Sequence, residues 1–120
     1  MNKGTFVEGL KERTKIFAIN VIHFYNELEK NDSVRIIGRQ LIRSVTSVAS
    51  NYRAACLARS KKEFFAKMSI VVEEADEANF WLEILKEIKI APEKGVTILM
   101  NEGLEIVKIM SKARSNIFKN

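Results

Sequence analysis

Apolar residues recur along this chain at spacings of three and four, the period of one face of an α-helix. Phe6, Leu10, Phe17, Val21, Phe24 and Leu28 fall on one stripe. Val34, Gly38, Leu41, Val45, Val48, Tyr52 and Ala55 form a second, with the alternating four–three steps of a packing seam. The third stretch carries two seams. Phe64, Met68, Val71, Ala75, Ala78, Leu82 and Leu85 make one; Ile70, Glu74, Glu77, Trp81, Ile84 and Ile88 make another about a quarter-turn away. Val96, Leu99, Met100, Gly103, Val107, Met110 and Ile117 complete the pattern. No stretch alternates with period two long enough to compete as a strand.

The breaks between stripes hold helix-start chemistry. Asp32 or Ser33 can accept from the open N–H groups of a first turn. Ser60 and Glu63 have the spacing of a capping box, and Pro92 suits a first helical position with Glu93 at the positive dipole end. Four helices follow, at about 5–30, 33–57, 61–89 and 92–118, each about 38–44 Å long at ~1.5 Å per residue. Short connections make neighbours antiparallel, so the expected fold is all-α, an up-down-up-down four-helix bundle forming one domain over residues 1–120.

Composition supports this. Hydrophobic residues at 47% and charged residues at 29% describe a chain with a core rather than a disordered one. No apolar run reaches the ~18 residues of a membrane span. Acids at Glu8 and Glu12 interrupt the N-terminal stretch where a signal peptide needs an apolar centre. The single cysteine, Cys56, has no internal disulfide partner. The expected location is the cytoplasm, with no membrane association.

Charge changes the picture further. Residues 1–60 hold ten Lys/Arg against five Asp/Glu, whereas residues 61–120 hold ten of each. From Ser33 to Lys62 there are seven cations, Arg35, Arg39, Arg43, Arg53, Arg59, Lys61 and Lys62, and no acid. Arg35, Arg39, Arg43 and Arg53 lie within about 80° of one another on a helical wheel, opposite the apolar seam. Like charges one turn apart repel, so the face is mildly unfavourable until something negative meets it. Two readings stand: a solvated face, or one paired with Glu73, Glu74, Asp76 and Glu77 of a neighbouring helix; and a phosphate-binding face for RNA or DNA, which guanidinium forks suit. Lys108, Lys112, Arg114 and Lys119 add a second cationic end. No aromatic interleaves the basic stripe, so backbone-driven binding without base stacking is expected.

Catalytic and cofactor chemistry finds no foothold. His23 is the only histidine and stands three after Asn20 rather than after a glutamate, so the paired Glu-x-x-His of a di-iron bundle is absent. Zinc sites draw on several Cys and His, and no glycine-rich phosphate loop occurs. The Glu73–Glu77 cluster lies along a continuous helix surface, without the cleft that would separate carboxylate pKa values or close a metal site. Glu74 and Glu77 sit on a seam and should be partly buried, requiring donors. The second seam points either to internal packing or, with Phe65, Val72, Glu73, Glu77 and Trp81, to contact with another subunit.

The stretch Gln40-Leu41-Ile42-Arg43-Ser44-Val45-Thr46-Ser47-Val48-Ala49-Ser50-Asn51-Tyr52-Arg53-Ala54-Ala55 resembles the helix-2 signature of the bacterial four-helix proteins encoded in intervening sequences of 23S rRNA genes, the S23 ribosomal protein family. Arg59-Ser60-Lys61-Lys62-Glu63-Phe64 and Glu73-Glu74-Ala75-Asp76-Glu77-Ala78-Asn79-Phe80-Trp81-Leu82-Glu83-Ile84-Leu85 resemble its helix-3 signature. One branch of the family carries a glutamate shortly after the asparagine; here Tyr52-Arg53-Ala54-Ala55 follows Asn51, so no role of that glutamate transfers. The resemblance implies a cytoplasmic homopentamer without enzymatic activity, metal or cofactor. It also implies kinship with the accessory protein of diversity-generating retroelements, which partners a reverse transcriptase and binds nucleic acid. The resulting expectation is an oligomeric RNA- or ribonucleoprotein-associated protein; the alternative is a homo-oligomeric scaffold that binds no nucleic acid.

Overall fold

In the computed structural model, which describes residues 3–119, helix α1 spans Lys3–Asn26, α2 Asp32–Cys56, α3 Lys61–Glu87 and α4 Glu93–Asn116. Met1, Asn2 and Asn120, counted in the domain by the sequence reading, lie outside the described residues. Each helix packs beside its chain neighbour, and α1 closes against α4, giving an antiparallel four-helix bundle 49 × 25 × 18 Å in extent. The α1–α4 seam is the slimmest. It is bridged by Arg13, whose Nε and Nη2 donate to the Glu102 carboxylate at 2.8 and 2.7 Å. That bond raises the Arg13 pKa.

The seams read from the sequence supply the core. Leu41, Val45, Val48, Met68, Val71, Ala75, Leu82, Val96 and Met110 are fully buried. Some positions differ. Phe6 stays 48% exposed at the end of α1, Ile106 enters the core beside Gly103 on α4, and Ile70 and Ile88 of the second α3 seam stay in solvent. At ~25 cal/mol per Å² of apolar surface removed from water, each such Leu or Met contributes about 1.5–3 kcal/mol.

The ends of the helices depart from expectation by a few residues. α1 stops at Asn26 rather than near residue 30, because Lys30 folds back and its ammonium donates to the carbonyl oxygens of Tyr25, at 2.7 Å, and of Leu28, satisfying the open end. Asn31, not Asp32 or Ser33, caps α2: its side chain accepts from the Val34 N–H at 2.9 Å. Ser60 accepts from the Glu63 N–H at 3.0 Å, as its spacing requires, while the Glu63 carboxylate accepts from the Arg59 N–H at 3.2 Å, one residue short of the reciprocal bond. Pro92 sits just outside α4, extended at ψ 125, with its carbonyl accepting from Val96. Between α3 and α4, Lys89 takes the left-handed backbone at φ 60, a position where glycine is commoner.

Candidate nucleic-acid interface

The heptad-like seam of α2 turns its opposite flank outward, and that flank carries Arg35, Arg39, Arg43 and Arg53, all exposed. Arg59 follows in the turn, and Lys61 and Lys62 open α3, also exposed. Arg35 approaches Asp32 at 3.6 Å and Arg59 approaches Glu63 at 3.7 Å, each a short-range pair in open solvent that contributes little. Among the described residues no carboxylate lies within 4.0 Å of Arg39, Arg43 or Arg53.

The acids of α3 do not reach this flank. Glu73 and Asp76 are exposed, and no cation lies within 4.0 Å of Glu73, Glu74, Asp76 or Glu77 among the described residues. Glu77 instead accepts a 2.7 Å hydrogen bond from the hydroxyl of Ser44, a fully buried residue of α2. Pairing of helix-3 carboxylates with helix-2 arginines within the subunit, one half of the first sequence reading, is therefore corrected, while its other half, a solvated face, stands beside the phosphate-binding reading. Ser44 and the arginines project from different sides of α2, about 100° or more apart at 100° per residue, and a carboxylate that meets one cannot meet the other.

The residues read as a subunit contact divide between two sides of α3. Phe65, 38% exposed, rests against Phe118 with ring centroids 5.6 Å apart, and the Arg114 guanidinium lies over its ring at 5.6 Å. Val72 is half-buried against the core. Glu73, Glu77 and Trp81 sit on the side nearer α2. There Phe80 (50%), Ile88 (49%) and Ile70 (39%) leave much apolar surface in solvent. The second seam of α3 thus lies largely outside the core, and the Trp81 ring meets Phe80 edge-on at 4.9 Å while its buried indole N–H has no hydrogen-bond partner among the described residues.

Two residues beside the basic flank, Tyr25 and Lys30, escaped the sequence reading. Tyr25, at the end of α1, is brought beside the basic flank: a cleft of about 420 Å³ is lined by Tyr25, Lys30, Arg35, Arg39 and Ile42. Gly38 makes this possible, because a Cβ there would collide with the Tyr25 ring, already 2.6 Å from Cδ1 and nearer still to its neighbours. The Lys30 ammonium caps the other side, 4.5 Å from the ring centroid. A glycine inside an otherwise large-residue seam was the available signal that a neighbouring side chain fills the space. The statement that no aromatic accompanies the basic stripe holds along α2 but not across the fold.

A second concavity, about 570 Å³, lies at the other end between Leu10, Tyr52, Ala55, Cys56, Phe64 and Ile117. The Tyr52 phenol, 3% exposed, is held well above its ordinary pKa by burial and by the neighbouring Cys56. His23 is exposed on α1. Among the described residues, no group of three His, Cys, Asp or Glu side chains is arranged to hold a metal ion, and no helix is long and apolar enough to cross a membrane.

The family model of the 23S rRNA-intervening sequence protein matches residues 10–112. The chain belongs to the 23S rRNA-intervening sequence protein family. A crystal structure of a protein of unknown function from the S23 ribosomal protein family of Bacteroides thetaiotaomicron superposes with a TM-score of 0.83 at 27% identity, over 91% of this chain and 97% of that one. No curated protein matches. The match of the 23S rRNA-intervening sequence family covers most of α1 and α4 and all of α2 and α3, including the whole arginine flank of α2.

Proposed function

We propose that this protein is a non-enzymatic, RNA-associated accessory bundle of the cytoplasm, in which Arg35, Arg39, Arg43 and Arg53 bind phosphates along α2, and Arg59, Lys61 and Lys62 extend the charge to the start of α3. The observation that carries this reading is an exposed guanidinium row with three members unneutralised by any carboxylate of the described subunit. Guanidinium groups one turn apart on a rigid rod raise the local anion affinity without needing a base to read. The family's link to 23S rRNA intervening sequences supports RNA over other polyanions. Assembly as a homopentamer, the state that the family resemblance implies, would repeat the row around a ring and turn weak contacts into avidity.

The test is charge reversal of Arg35, Arg39 and Arg43 to glutamate together, with binding to fluorescein-labelled RNA read by anisotropy and mass read by light scattering. The proposal expects RNA affinity to collapse with the oligomer intact; unchanged affinity rejects it. A second reading is favoured by one observation, the exposed Ile70, Phe80 and Ile88 beside Glu73 on α3: a scaffold whose arginines meet these acids in the next subunit. It expects the same variant to fall apart to smaller mass, with no RNA bound by the parent.

A further inference from the structure

We propose that the cleft between the end of α1 and the first turns of α2 seats one unpaired nucleotide, so that the basic face takes single-stranded RNA in preference to duplex; this rests on the phosphate-binding reading above. The cleft, about 420 Å³, falls within the range of small-molecule pockets, and its lining is chemically mixed. Three cations, Lys30, Arg35 and Arg39, share it with one aromatic ring and one aliphatic side chain, Tyr25 and Ile42. Among the described residues the one acid within 4.0 Å of these cations, Asp32, is fully exposed and meets Arg35 at 3.6 Å.

A flat phosphate-binding face would need no such apolar floor. Duplex RNA offers it nothing, because stacked and paired bases are enclosed between the strands and only phosphates and sugars meet a convex helix. An unpaired base can turn into the cleft, lie against Ile42 and the edge of Tyr25, and stack on the planar guanidinium of Arg35 or Arg39 while its phosphate meets the remaining cations.

The floor is preorganised. Gly38 lets the Tyr25 ring settle onto α2, and Lys30 is held over it at 4.5 Å by bonds to the α1 carbonyl oxygens of Tyr25 (2.7 Å) and Asn26 (3.5 Å). Its charge therefore stays at the mouth of the cleft without a ligand to place it, which lowers the ordering cost on binding.

The experiment compares a fluorescein-labelled oligouridine 12-mer with a 12-base-pair RNA duplex at one salt concentration, by anisotropy. A base stacked on an aromatic ring contributes about five- to 150-fold in affinity, and a base held by the Tyr25 edge and a guanidinium plane falls at the low end, so the strand should bind about five-fold tighter than the duplex. Tyr25→Leu, which keeps Gly38 covered, should remove that preference and leave duplex affinity where it was. Photocrosslinking of 4-thiouridine RNA to the parent protein, mapped by mass spectrometry, should mark the peptide holding Tyr25 or Ile42, and needs no variant to fold. Equal affinity for strand and duplex, or crosslinks that fall only elsewhere, overturns the nucleotide seat while leaving the basic face standing. Failure of both RNAs to bind the parent overturns both.

Discussion

Replacing Gly103 with alanine should destabilise the bundle, against the intrinsic preference of a helix for alanine. α3 and α4 come close where the Asn79 amide lies on the Cα of Gly103, both buried. A Cβ on Gly103 would stand 2.8 Å from Asn79 Cγ and 3.1 Å from Nδ2, nearer still to Oδ1. Asn79 cannot yield cheaply. Its Nδ2 donates to the Met100 carbonyl at 3.2 Å, its Oδ1 is already buried without a partner, and it is 8% exposed. Overpacking of this kind costs about 1–3 kcal/mol. Losing the amide bond adds about 1 kcal/mol, and the helix gains back about 1 kcal/mol from Gly to Ala. The net loss is about 1–3 kcal/mol, or a fall in melting temperature of about 3–15 °C for a domain of this size. Thermal melts by circular dichroism of Gly103→Ala, Asn79→Ala and the double variant make a closed cycle. The double variant should recover most of the loss, because a methyl on each helix fits where the amide stood, giving a coupling of about 1 kcal/mol or more. A Gly103→Ala protein as stable as the parent, or a cycle with no coupling, refutes the close-approach argument.

If four α2 arginines each contact one phosphate of a single strand, log K should fall with log salt at a slope of about −2.8, so raising salt from about 50 to 200 mM weakens binding about 50-fold. The Arg35, Arg39 and Arg43 charge reversal should flatten that slope towards that of a single contact; a slope near zero in the parent sinks the phosphate row. Burial and Cys56 favour the neutral Tyr52 phenol in the folded state. Its contribution is whole below pH 10 and shrinks as pH rises above that value, where the unfolded chain ionises first. Melts from pH 8 to 11.5 should show the parent losing stability faster than Tyr52→Phe above pH 10, and parallel curves would refute the burial effect.

Much of this fold was legible because burial and periodicity coincide. On α2 each of the seven seam residues read from the sequence is buried, since a helix with apolar side chains at four–three spacing has one way to face its two neighbours, α1 and α3. α3 is harder for the same physical reason. Its second seam has the right period, but period gives an angle on one helix and not the presence of a partner at that angle. Ile70, Phe80 and Ile88 are left in solvent by this subunit. Helix ends misled where a side chain from beyond the helix supplied the cap, as with Lys30 and Asn31, because such caps depend on how the turn folds back. The candidate site shows the same division: the arginine row lies within one helix and could be read, whereas Tyr25 and Lys30 join it only through the packing of α1 on α2 across Gly38.

The location of Ser44 bears on which partner can complete this surface. A buried hydroxyl on the α3-facing side of α2 donates to Glu77, so among the described residues the one helix-3 carboxylate that engages α2 is taken by a neutral donor. Had an arginine stood there, the pair would have been half-buried, costly to desolvate and fixed. Instead the arginines are grouped on the flank turned away from α3, each one a turn or more from the next, where repulsion between them is small but unrelieved. Any carboxylate or phosphate that pairs with Arg39, Arg43 or Arg53 then comes from outside the described subunit. An RNA strand and the Glu73 side of another copy both supply it, and they differ in one respect that can be measured. A strand brings phosphates that salt displaces in proportion to their number, without altering mass. A second copy instead brings the exposed apolar patch of α3, whose burial salt does not weaken. Loss of mass on reversing Arg35, Arg39 and Arg43, in a parent whose mass holds as salt rises and which binds no RNA, would therefore assign the arginines to subunit contacts; RNA bound at low salt and released as salt rises, at constant mass, assigns them to phosphate.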